Sequence, residues 1–204
     1  MANPKSIRTF DPARVARLET ENWEAYYQKR WPRLLQVSVG LVREAFGLNT
    51  WQALQAAYLV GRAEIAAAPF PDNDVPRAEA YMRRFYGLVK RVHHEPLDVE
   101  QAARLEVRWW VVHRQLFLQD DLQPLVEALV DLYAATFRLP RERVRDAAFH
   151  RAEAMRYSDR WVNSSKASGD PLLAQVELEL VKSYTALRGA VEAAPAGVPA
   201  ANPS

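Results

Sequence analysis

The segment Glu106-Val-Arg-Trp-Trp-Val-Val-His113 places an acid and a base seven residues apart. In a helix that is almost two turns, so both side chains rise from one face. Trp109, Trp110, Val112, Leu116 and Phe117 surround that face. A carboxylate and an imidazole inside an apolar sector need partners, because burying either one unpaired is costly. Substantial burial of both is therefore expected to have a chemical reason.

The same helical-wheel test, applied along the chain, separates surface charges from inward ones. Glu64 points away from the polar stripe Gln52, Gln55 and Arg62, toward Ala53, Ala57, Val60 and Ala68. His150 aligns with Ala147, Ala154, Tyr157 and Trp161, with Asp146 and Glu153 one step toward the polar side. Glu177 falls between Val181 and Tyr184. Glu127 and Asp131 share a wet face, Glu44 is expected to pair with Arg33 at an edge, and His93-His94 close a helix where a cation suits the dipole.

Carboxylates and imidazoles projecting inward from several helices are how bundle proteins hold one or two transition-metal ions. Oxygen and nitrogen donors suit iron or manganese. The expected ligands are Glu64, Glu106, His113, Asp146, His150 and Glu153, and the expected function is a metal-binding bundle, a non-haem iron or manganese oxidase. Glu106-x6-His113 followed by Asp146-x3-His150 resembles the ligand spacing of haem-oxygenase-like dimetal oxidases. The resemblance covers those four residues. Those proteins also place a carboxylate on an intervening helix, where this chain offers only Glu127 and Asp131 on a wet face. Ferritin-like proteins use paired Glu-x-x-His motifs, which are absent here.

The rival reading is a non-enzymatic ligand-binding or protein-interaction bundle. Its acids and histidines would form a structural polar network, each answered by one of the 22 arginines. Trp23, Tyr26, Tyr27, Trp31, Trp109 and Trp110 would then line a pocket for a small apolar ligand or a homo-oligomer face.

Composition removes other classes. With no cysteine there are no disulfides, thiolate ligands or cysteine nucleophiles. No Gly-rich phosphate loop and no Gly-x-Ser-x-Gly elbow occurs. A net charge of +2 gives no argument for nucleic acid or membrane. Residues 138–160 hold seven arginines, but Glu142, Asp146, Glu153 and Asp159 reduce the segment to +3. The aromatic N-terminal region does not read as a helix-turn-helix, so nucleic-acid binding is not expected.

The elements that must position these residues are all helices. Glycine is scarce, at 7, and apolar residues recur at three- and four-residue intervals. Start signals stand at Asp11-Pro12, Asn49 or Thr50, Asp74, Asp98 with Gln101, Asp120-Asp121, Pro140 and Asp170-Pro171. Pro32 ends, kinks or restarts the first helix. The expected fold is an all-α antiparallel helical bundle of about seven or eight helices. One domain is expected over 1–192, with a disordered Ala/Pro-rich tail over 193–204. No signal-like stretch and no apolar run of about 20 residues is present, and the expected location is cytoplasmic.

Overall fold

A computed structural model describes residues 6–164 and 166–193. Among them are eight helices and no strand: α1 Pro12–Tyr27, α2 Trp31–Ala45, α3 Thr50–Ala67, α4 Val75–His93, α5 Val99–Gln115, α6 Gln123–Phe137, α7 Arg141–Asn163 and α8 Pro171–Glu192. The tail expected from residue 193 lies outside the described residues from 194 onward.

Most starts follow the capping residues. Asp11 accepts the amides of Ala13 and Arg14, Asp74 that of Arg77, Asp98 that of Gln101, and Asp170 that of Leu172. Asn49 and Gln52 form a reciprocal capping box. Lys29, at φ 58°, breaks the chain after α1, and Pro32 sits in the first turn of α2, so this proline restarts a helix. The expected start at Asp120-Asp121 is late by two residues. Pro124 suits the first turn of α6, which opens at Gln123, and Asp121 accepts the Gln123 amide.

Each helix packs on its neighbours in sequence, and α8 packs back on α1. The eight helices thus close into a ring. The closing seam is made of Ala16, Ala154, Val176 and Leu180. Two alanines at the contact let α1 and α7 approach α8 closely. Ser183, fully buried, donates to the Ala147 carbonyl at 2.7 Å and ties α8 to α7. Alanines also crowd the inner faces of α3, α5 and α7, which keeps the ring compact.

Outside the ring, Trp51, Leu54, Tyr58 and Ile65 form an exposed apolar row on α3, with Trp51 82% exposed. Glu44 pairs with Arg14 on α1 rather than with Arg33, which reaches Glu21. The wheel had aligned two residues of one helix, but the neighbouring helix supplies nearer partners for both. Among the described residues no helix is long and apolar enough to cross a membrane.

If the seam closes the ring, Leu180→Ala should lose about 2–5 kcal/mol in urea unfolding, while Trp51→Ala should stay within about 0.5 kcal/mol. Equal effects from the two would contradict this account of closure.

Candidate functional site

The residues expected to converge on a metal do not. Glu106 turns to the ring axis, where its Oε2 accepts from the Tyr86 hydroxyl at 2.5 Å and its Oε1 from the Trp109 indole at 2.9 Å. His113, two turns along the same helix, instead reaches Asp159 of α7, with Nε2 at 3.1 and 3.2 Å from the carboxylate oxygens. His150 meets Glu179 of α8 at 2.7 Å, and Lys182 completes that pair at 2.7 Å. Glu153 bonds its own-helix neighbour Arg156, and Asp146 is exposed. Only Glu64 shares a cavity with Glu106.

Among the described residues no three His, Asp or Glu side chains are grouped so as to hold a metal ion. The expected metal-binding oxidase is therefore corrected: His113 and His150 are each taken by a carboxylate on another helix. Glu127 and Asp131 are likewise taken, by Arg141, Arg145 and Arg108.

The polar centre of the ring is built from residues the sequence reading passed over. Arg151 of α7 donates Nη2 to Glu19 Oε1 at 2.5 Å, and Nη1 to Glu19 Oε2 at 3.1 Å and to the Tyr184 oxygen at 2.6 Å. The Tyr184 hydroxyl in turn donates to Glu19. The guanidinium also lies over the Trp109 ring at 5.2 Å and the Tyr184 ring at 5.8 Å. Burial works against the charge on Arg151, but Glu19, Tyr133, Tyr184 and Glu106 more than offset it and raise its pKa. A signal did exist. Glu19 stands in the apolar row Val15, Glu19, Trp23, and Arg151 in the row Ala148, Arg151, Met155. A charge in such a row asks for a buried counter-charge.

Around this centre lies a cavity of about 200 Å³, to which all eight helices contribute. Trp23 comes from α1, Val42 from α2, Glu64 from α3, Tyr86 from α4, Glu106 from α5, Tyr133 from α6, Arg151 from α7 and Tyr184 from α8. A second cavity of about 160 Å³ shares Asn22, Trp23, Glu64, Trp109 and Trp110 and extends to Tyr27, His113 and Arg114.

Three oxygen-bearing side chains on the walls lack hydrogen-bond partners among the described residues. Glu64 has no hydrogen bond or ion pair with any described residue. Protein atoms crowd its stem, yet the residue as a whole is exposed, and it lines both cavities. Burial, together with repulsion from Glu106 and Glu19, raises its pKa to about 7. The accessible surface tempers the burial contribution but leaves the repulsion, so the upward direction stands. Tyr133 and Thr136 are 6% and 8% exposed. Tyr133 lies near Ser183 and Arg151, and Thr136 near Tyr86, but neither hydroxyl makes a hydrogen bond of ordinary geometry. Burial also raises the pKa of Glu106 against the opposing pull of Tyr86, Trp109 and Arg151, and it keeps the Tyr86 and Tyr184 phenols neutral.

Against known proteins, no family model, no curated protein and no solved structure matches the chain.

Two measurements follow from this geometry. Arg151→Met leaves Glu19 buried and unanswered, and should cost about 3–5 kcal/mol in urea unfolding, with Glu19→Gln/Arg151→Met recovering a large part. Additive single-variant losses would show that the two residues do not act as a pair. The second concerns pH. The native Glu64 carboxyl holds its proton to a higher pH than the free group, whose value is 4.5. Its contribution is full below that value and is lost as pH rises through the raised one. Glu64→Gln, permanently neutral, should therefore melt higher than the parent above about pH 8 and show no such advantage near about pH 4. An advantage of the same size at both pH values would rule out the raised pKa.

Proposed function

We propose that the protein binds a small, mainly apolar organic molecule in the cavity enclosed by the ring. The observation that carries this reading is the division of the polar groups into two sets. Glu19, Arg151 and Tyr184 satisfy one another and account for themselves as structure. The Glu64 carboxyl and the Tyr133 and Thr136 hydroxyls are left open, and all three line the cavity. The two hydroxyls are buried, and a buried polar group without a partner costs about 1–3 kcal/mol, so a folded protein keeps it where a ligand or ordered water completes it; Glu64 is exposed and adds an open carboxyl to the same wall.

Size and wall chemistry agree with a small ligand. The volume of about 200 Å³ exceeds the roughly 150 Å³ of apolar space that accepts benzene. Phe10, Trp23, Phe46, Phe85, Trp109 and Trp110 make the walls largely aromatic. A mostly apolar pocket with a few convergent polar groups between bundle helices is the usual form of a small-molecule site.

Toluene and phenethyl alcohol, both neutral, are suitable probes. Each should raise the melting temperature saturably, by mass action on the native state, with one molecule bound per chain. Val60→Trp, which places an indole in the cavity, should abolish the shift while helical circular dichroism is retained. If neither probe binds the parent protein, or if Val60→Trp binds both unchanged, the cavity is not a ligand site.

A further inference from the structure

The charges on the cavity wall are unbalanced. Glu19, Glu64 and Glu106 face it with carboxyls, and Arg151 is the one guanidinium among its lining residues. That guanidinium is already committed, with one nitrogen on Glu19 and another shared between Glu19 and Tyr184. It has no free edge to offer an anion. Two further groups that can carry positive charge line the second cavity: Arg114, which is exposed, and His113, which is bonded to Asp159. In the first cavity the wall around Glu64 thus offers acids, phenols, hydroxyls, the Asn22 amide, aromatic and aliphatic surface, and one guanidinium already in use.

The open valences point the same way. Glu64 presents two unpartnered oxygens, and Glu106 uses one lone pair of each oxygen on Tyr86 and Trp109. The buried Tyr133 and Thr136 hydroxyls each still have an acceptor position. The two carboxylates seek hydrogen-bond donors and positive charge, while the hydroxyls can either accept from a ligand or donate to it. The surrounding rings of Trp23, Trp109 and Trp110 offer π faces to the same kind of head group.

We propose that the ligand is a small amine: an apolar, ring-sized body carrying a protonated nitrogen that sits against Glu64, with Glu106 and the open hydroxyls completing its donors. This rests on the reading of the cavity as a ligand site and names the class of molecule that the site takes. A bound ammonium supplies the missing counter-charge, so that Glu64 and Glu106 share one cation and no longer oppose each other. A carboxylate ligand would meet like charge at that pole, and a neutral alcohol would satisfy hydrogen bonds but leave the charge imbalance.

The test is calorimetric titration of the full chain at mildly alkaline pH with phenethylamine, phenethyl alcohol and phenylacetate, which share one ring and differ in the head group. Phenethylamine should bind one per chain and at least about tenfold more tightly than phenethyl alcohol, a difference of about 1.4 kcal/mol, with phenylacetate weakest. Glu64→Gln should remove the amine preference, bringing phenethylamine to the level of phenethyl alcohol, with retained helical circular dichroism and a cooperative melt certifying that the variant is folded. An alcohol that binds as tightly as the amine, or an amine preference that survives Glu64→Gln, overturns the inference while toluene binding leaves the cavity reading standing. If toluene fails as well, it is the cavity reading that falls.

Discussion

The contact on which the ring depends is Arg151 with Glu19. It joins α7 to α1 across 132 positions of sequence, and Tyr184 brings α8 into the same knot. The energy of closure does not come from this pair. Taking two charges out of water offsets most of what their attraction returns. Burial along the seam of Ala16, Ala154, Val176 and Leu180 supplies the favourable term. What the pair supplies is a penalty for any other register. If α1 were to slide by one turn, Glu19 and Arg151 would each be buried alone, and that is far more costly than an apolar mismatch.

That knot also shapes the interior. Arg151 spans from Glu19 to the face of Trp109, so its long stem and fork fix one side of the cavity. Trp109 in turn donates to Glu106, and Glu106 accepts from Tyr86 on α4. One connected set of contacts therefore runs from α1 through α7 and α5 to α4. The wall that presents Glu106 is held by the same groups that set the helix register. Glu64, from α3, stands outside this chain of bonds and faces it across open space.

The helices were largely legible because their ends are local. Asp11, Asn49, Asp74, Asp98 and Asp170 cap in the structure as their types and positions imply. The inward direction of Glu106 was legible too, since a wheel fixes direction from sequence alone; Glu64 lines the same cavity but is exposed. Partners were not. Glu106 and His113 project the same way, but seven residues separate them by roughly 10 Å along the axis, and they meet different helices. His150 and Arg151 are sequence neighbours on different faces. The histidine drew notice for its chemistry, while the arginine, a type seldom buried unless paired, holds the buried position. That position is set by α8 returning to α1, a contact between the two ends of the helical order that no local pattern encodes.

A purely structural polar core and a binding site make different demands on their leftover groups. Structure favours closing every valence, and His113 and His150 show it: each is met by a carboxylate on another helix. The wall of the cavity does the opposite. Two acids are kept near each other with only one committed cation between three carboxyls, and two hydroxyls are buried without a hydrogen bond. Replacing Glu64 by an apolar residue would relieve the repulsion at no loss of any bond within the protein, because it makes none. It stands among the five side chains common to both cavities, facing the knot, and so presents its carboxyl to whatever fills that space.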